Sequence, residues 1–222
     1  MAEYDKFAEK YEKLTEKLET KTREHTHSLI KSSLKDKNLL DVGCGSGADA
    51  KYYLNKGAKV FGIDISKKEI EIIRKKIKGN FVVGNMDKLP YKSNTFDIIT
   101  STYALQNSSK VTKAITEMIR VAKPGAQILI LTKHPFRNLI EGHINDKKHN
   151  YYKQKKVTSY IFNRKIKLSE FGHTLMDYLN SSILKQAKLE ILEEHSDFPF
   201  SERLIPQLNY PTYLILSYRK NS

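Results

Sequence analysis

Five short, nearly unbroken apolar runs between residues 38 and 132, separated by turns and amphipathic segments, constrain this chain more than any other feature. They cover 38–42, 59–64, 81–84, 96–101 and 126–132. Runs this short and this apolar are strands buried on both faces, so the spacing predicts an α/β fold with a parallel sheet covered by helices. Helices are predicted over 48–55, 66–77 and 110–122. Ser66 and Glu69 form a capping box for the second, and Pro124-Gly125 stops the third. Residues 3–34 read as helix broken near 20–25, with Phe7, Tyr11, Leu14 and Leu18 on one apolar face. After residue 133 the rhythm changes. Residues 134–170 are polar, basic and rich in Tyr and His, with a hairpin through VTSYIF and KIKLSEF. A helix over 174–186 and strands over 189–195 and 213–218 follow. The 196–211 stretch holds three prolines and reads as a loop.

The 222 residues suit a single domain over 1–222. A mean hydropathy of −0.55 and the lack of a long apolar run argue against a membrane span. The first residues carry no apolar stretch of the secretory kind. Cys44 is the only cysteine, which excludes an internal disulfide and a cysteine-cluster metal site. No metal is expected, and these features together predict a cytoplasmic protein. The net charge of +14 raises nucleic acid as a partner. Its makeup weakens that reading, because 32 of the 39 basic residues are Lys and Arg is the better fork for phosphate and base edges. Residues 133–167 hold ten basic and two acidic residues, a net of +8.

The run at 38–42 ends in Gly43-Cys44-Gly45-Ser46-Gly47. A buried strand entering a glycine turn lets a ligand approach the backbone closely, and a helix opening there presents N–H groups to an anion. Gly43, Gly45 and Ala48 also fit a dinucleotide pattern, so an NAD-type ligand stays open at this point. Asp64 ends the second run and Asp87 follows the third. With Asp41, three acids fall at intervals of 23 residues, which brings them to one carboxyl edge of the sheet, where open α/β folds bind ligands.

Taken together, LLDVGCGSG, VFGIDIS, GNMDKLPYKSNTFDIITSTYALQN and KPGAQILIL resemble the class I S-adenosylmethionine-dependent methyltransferases, closely over about residues 38–133. The resemblance implies a Rossmann-like, seven-stranded, mostly parallel sheet of order 3-2-1-4-5-7-6. It implies S-adenosylmethionine as methyl donor, with S-adenosylhomocysteine as product. Gly43, Cys44, Gly45 and Gly47 match the loop that holds the methionine part, and Asp41 the acid near its amino group. Asp64 matches the ribose acid, Ile65 the adenine face, and Met86 and Asp87 the adenine edge. Ser101 matches the position lining the methionine end. Tyr4, Ala8 and Tyr11 resemble the family's N-terminal stretch, so residues 1–36 are expected to form a helical lid, with Tyr11 at the cofactor.

The STYALQN stretch resembles small-molecule methyltransferases of quinone and natural-product pathways, which places Tyr103 and Gln106 at the acceptor. The family's common His at the last position is Gln106 here. The [DN]-P-P-[YF] motif of base-amine methyltransferases is absent. The expected activity is in-line methyl transfer to an oxygen or nitrogen of a small molecule. The alternatives are RNA or protein methylation through the basic 133–167 segment, or a non-catalytic cofactor-binding module. Residues 134–170 are expected as a substrate-side insertion. His134 and His173 are the first candidates for a base, ahead of His143 and His149.

Overall fold

The computed structural model describes residues 3–15, 21–152, 156–161, 166–196 and 208–222. Nine strands form, in chain order, β1 (Asn38–Val42), β2 (Lys59–Asp64), β3 (Asn80–Val83), β4 (Phe96–Thr102), β5 (Ala122–Lys133), β6 (Lys156–Ile161), β7 (Ile166–Phe171), β8 (Ala187–His195) and β9 (Tyr213–Lys220). Seven of them make one sheet of order β3-β2-β1-β4-β5-β9-β8, and β6 and β7 pair apart as a hairpin. Counting only the large sheet, this is the expected 3-2-1-4-5-7-6 order. Strands β1 to β5 run parallel, and β9 lies antiparallel between β5 and β8.

The helices are α1 (Ala8–Thr15), α2 (Lys21–Ser28), α3 (Ala50–Asn55), α4 (Lys67–Lys76), α5 (Val111–Val121), α6 (Pro135–Asn145), α7 (Leu175–Leu179) and α8 (Ser181–Leu184). Successive side chains on a strand point to opposite faces, so each central strand feeds two cores. Leu40, Val42 and Ile99 pack under Ile115, Met118 and Ile119 of α5. Leu39, Val60 and Ile98 pack with Tyr53 of α3 and with Ile70 and Ile73 of α4. Each such large apolar side chain contributes roughly 1.5–3 kcal/mol on burial.

Four expectations need correction. The predicted 174–186 helix is two helices, because Asn180 is extended and its side chain accepts from Ser182 N to start α8. Pro124-Gly125 does not separate α5 from a strand. β5 begins at Ala122, and the ladder with β4 shifts register between Phe96 and Ile98 as the extra residues pass. The 134–170 stretch is not only loop and hairpin, since α6 fills its first third. That helix buries Arg137, Asn138, Glu141 and Gly142 and leaves Phe136 and Ile144 exposed, so its apolar residues mark the wrong face. The capping box at α4 is half made. Ser66 Oγ accepts from Glu69 N at 3.2 Å, but Ser66 N donates to Asp64 Oδ1 at 2.8 Å.

Candidate active site

β1, buried from Leu39 to Val42, carries the chain to the carboxyl edge of the sheet and stops at Gly43. Gly43 N and Cys44 N both donate to Ile63 O, at 2.8 and 3.1 Å, which folds the glycine loop against the end of β2. Gly43 and Gly45 have φ of +77° and +50°, a region that side chains strain to reach. The helix after the loop starts at Ala50, two residues later than predicted, and is only six residues long.

Around this loop lies a cavity of about 280 Å³. Its floor is Gly43, Gly45 and Ala104. Asp64, Ile65, Glu69, Met86, Asp87 and Ser108 also line it. Asp64 closes the loop as well as lining the cavity. Its Oδ2 accepts from Gly45 N at 3.0 Å and its Oδ1 from Ser66 N. Burial raises the Asp64 carboxyl above its ordinary value, and these two N–H groups oppose the rise. Asp87 accepts from Ser108 Oγ at 3.0 Å, which ties the loop after β3 to the loop after β4.

The N-terminal turn spans the mouth of the cavity. Asp5 accepts from Ser66 Oγ at 2.6 Å and from Lys68 N at 3.3 Å, so it is pinned to the start of α4. Beside it Tyr4 lines the cavity, and Asn107 Nδ2 donates to its hydroxyl at 3.3 Å from the other rim. Residues 4 and 5 thus connect both sides. Phe171, the last residue of the β6–β7 hairpin, completes the lining.

Of the residues singled out in the sequence, Gly43, Gly45, Asp64, Ile65, Met86, Asp87 and Tyr103 meet at this cavity. Tyr11 lies in α1, and its side chain is outside the described residues. Asp41, Cys44, Gly47, Ser101 and Gln106 are not in the lining. Asp41 is buried within β1, with Thr100 Oγ1 at 3.4 Å, and burial together with the nearby Asp49 charge pushes its carboxyl well up. Cys44 packs into the core, where burial raises its thiol. A Cβ on Gly47 would meet Ile73 and Ile77 rather than the cavity. Ser101 Oγ donates to Val42 O at 2.9 Å and locks β4 to the end of β1.

Gln106 serves the backbone. Tyr103 has φ +54°, rare for an aromatic residue. Gln106 Nε2 donates to Tyr103 O at 2.6 Å, and Gln106 Oε1 accepts from Thr132 Oγ1 at 3.2 Å. The side chain that replaces the expected His therefore braces the strained turn on the cavity floor.

The structure brings neither candidate base to the cavity. His134 is fully buried and caps α6. Its Nδ1 accepts from Phe136 N at 3.1 Å, and its Nε2 lies 2.8 Å from Glu194. Burial lowers its pKa, against the pull of Glu194. His173 is buried behind the 105–108 turn, edge-on to Tyr178, and burial lowers its pKa too. His143 is exposed on α6, and His149 is buried near Gly142. The basic segment is also less open to phosphate than its charge suggests. Lys133 is buried in ion pairs with Glu141 and Glu170, and Arg137 pairs with Glu141 at 3.0 Å.

Sequence reasoning missed Glu69, Asn85, Thr102 and Phe171 in the lining. Glu69 had been assigned to helix capping, and Phe171 reaches the cavity only through the hairpin. A second network that it missed lies under the floor. Asp49 pairs with Arg23 at 3.2 Å and with His27 at 2.7 Å. Burial works against ionisation of Asp49, yet these two partners outweigh it and hold its carboxyl below the ordinary value. Arg23 also stands 5.5 Å from the ring centre of Tyr103, a residue of the cavity lining, so α2 packs against that residue.

The sheet order and its helices are those of the class I methyltransferase fold. Residues 40–130 match the family model for a methyltransferase domain. The chain is 38% identical over 115 residues to norajmaline N-methyltransferase of Rauvolfia serpentina, covering 48% of this chain and 39% of that protein. It is 32% identical over 107 residues to a demethylmenaquinone methyltransferase of Renibacterium salmoninarum, covering 46% of this chain and 45% of that protein. It thus spans less than half the length of these curated relatives. Among solved structures, an S-adenosylmethionine dependent methyltransferase from Mesorhizobium loti superposes with a TM-score of 0.67 at 17% identity, over 89% of this chain and 96% of that one. At that identity the likeness is one of fold. Over residues 40–130, and in its fold, the chain is similar to the class I S-adenosylmethionine-dependent methyltransferases. Among the described residues no helix is long and apolar enough to cross a membrane.

Proposed function

We propose that this protein transfers the methyl group of S-adenosylmethionine to a nitrogen or an ionised oxygen of a small-molecule acceptor. One observation carries the reading. The chain has a net charge of +14, yet among the described residues the charged side chains lining the cavity are Asp64, Glu69 and Asp87, all carboxylates. Such a lining suits a sulfonium and an α-ammonium, and it repels the pyrophosphate of a dinucleotide. The glycine loop fits the same ligand, because its backbone is bare where a side chain would intrude.

In this reading the backbone of Gly43 and Gly45 holds the amino-acid end, Asp64 accepts the ribose hydroxyls, and Ile65, Met86 and Asp87 enclose the adenine. S-adenosylmethionine supplies a methyl group already activated on sulfur. What remains for the chain is to align a nucleophile with the C–S bond and to exclude water. Tyr4, held between α4 and the 105–107 turn, supports the exclusion of water. The described residues of the lining include no imidazole, thiol or ammonium. That favours an acceptor that arrives as a free amine or an ionised enol or phenol. The names of the norajmaline and demethylmenaquinone relatives each point to a small-molecule acceptor, the first at nitrogen. The single cysteine, buried, accords with a reducing compartment.

The test is calorimetric titration with S-adenosylhomocysteine beside NADH, followed by an acceptor screen with labelled methyl donor. Binding of the former alone and label on a small amine or phenol are expected. Binding of NADH alone, or label only on RNA or protein, overturns the proposal.

A further inference from the structure

Away from the cavity, at the outer edge of the large sheet, three potential ligands converge. Glu193 and His195 are two apart on β8 and so share a face of that strand. They pair with Ile215 and Tyr213 of β9, which belong to the apolar patch against which Leu29 and Ile30 pack, just after α2. The same α2 brings in His25, 168 residues away in sequence. His25 Nε2 lies 2.7 Å, and His195 Nε2 3.0 Å, from the same oxygen, Glu193 Oε2. The two rings are tilted by 59° with centres 5.3 Å apart, so their edges rather than their faces meet at the carboxylate. One donor atom from each residue lies within 4.8 Å of the others.

We propose that His25, Glu193 and His195 form a binding site for one divalent first-row transition ion. Two imidazole nitrogens and one carboxylate oxygen are ligands of that class, whereas calcium and magnesium take oxygen sets. A tetrahedral ion with bonds of about 2.0–2.1 Å sets its ligands about 3.3 Å apart, so small side-chain rotations open the cluster enough to admit one. The fourth position faces solvent, since the three side chains are 42%, 33% and 26% exposed. The backbone of His195 is fixed by Thr212 N, which donates to its carbonyl at 2.7 Å. An ion here ties α2 to β8. It thereby steadies the helix whose other residues, Arg23 and His27, hold Asp49 under the cavity.

The full chain, stripped with chelator, is titrated with zinc by calorimetry and with cobalt by visible absorption. Calcium and magnesium serve as controls. One zinc per chain is expected, with d–d bands of a low-coordinate cobalt site and no response to calcium or magnesium. Glu193→Gln and His195→Ala should weaken zinc by at least about tenfold, and His25→Ala should remove the cobalt bands. His143→Ala, at an exposed histidine elsewhere, should bind as the parent does. These side chains are partly exposed, and circular dichroism of each variant checks that the fold is kept. No stoichiometric zinc, or equal binding in the three ligand variants, overturns the proposal. So does a loss in His143→Ala as large as in His195→Ala, which marks scattered surface histidines.

Discussion

Gly43 and Gly45 both have positive φ, but the structure predicts different costs for a methyl group at each. A Cβ on Gly45 meets nothing closer than Glu69 Oε2 at 3.8 Å, so Gly45→Ala carries only the left-handed penalty of about 1–2 kcal/mol. A Cβ on Gly43 overlaps the Cβ of Ala104. Ala104 has no rotamer to yield, and its backbone opens the turn held by Gln106, so the loop itself must move. Overpacking of this kind adds about 1–3 kcal/mol, for a total of about 2–5 kcal/mol. In a domain of this size that is a fall in Tm of about 4–20 °C, against about 2–8 °C for Gly45→Ala. Urea melts give the stabilities, and titration with S-adenosylhomocysteine gives the affinities. Gly45→Ala should lose only about 1–2 kcal/mol of stability but should also lose affinity, because its new methyl enters the cavity. Gly43→Ala should lose both. If Gly43→Ala melts no lower than Gly45→Ala, then Ala104 does not pack against the loop and the description of the floor is wrong.

Asp64→Ala should weaken S-adenosylhomocysteine by about 1–3 kcal/mol, read by calorimetry, since the ribose hydroxyls lose a charged acceptor; Asp64→Asn should lose less. His134→Ala should lower stability by about 1–2 kcal/mol in urea melts, because α6 loses its cap, and should leave turnover on any accepted substrate unchanged. Asp49 gives a pH dependence. Its folded pKa is depressed, so its contribution is present above the ordinary carboxylate value and is lost as pH falls through the folded one. Urea melts between about pH 2 and pH 6 should therefore show a shallower acid loss in Asp49→Asn than in the parent.

The sheet was legible because its strands are buried on both faces, and continuous apolar runs such as Leu39-Leu40 and Ile98-Ile99 have no other economical use. α6 was not legible for the converse reason. Its inner face is Arg137, Asn138 and Glu141, neutralised by Lys133 and Glu170 from other elements, and no periodicity of apolar residues reports a face made of ion pairs. The split between α7 and α8 turns on the extended backbone of one residue, Asn180, whose cap for Ser182 exists only once the chain has bent.

The same distinction runs through the site. Gly43, Gly45, Asp64 and Asp87 could be placed because each lies at the end of a strand or within four residues after one, and strand ends fix position in a parallel sheet. Phe171 reaches the cavity from a segment far away in sequence, and only the docking of the β6–β7 hairpin puts it there; Tyr4 was legible only through the likeness of its stretch to the family's N-terminal lid, and Asp5 on Ser66 fixes it in place. The histidines failed as guides for a related reason. His134 leaves β5 at the correct edge, but a residue at a strand end can turn toward the cavity or start the next helix. Pro135 at the first helical position and a free N–H at Phe136 settle that choice for capping. An imidazole whose nitrogens are committed to Phe136 N and to Glu194 is not placed to take a proton from an acceptor. In the reaction proposed above, the chemistry then rests on the ionisation state in which the acceptor arrives. An acceptor series graded in amine or phenol pKa tests this, since the pH–rate profile should follow the acceptor's own pKa and not a fixed value near that of histidine. A profile that stays fixed while the acceptor pKa changes would restore a protein base.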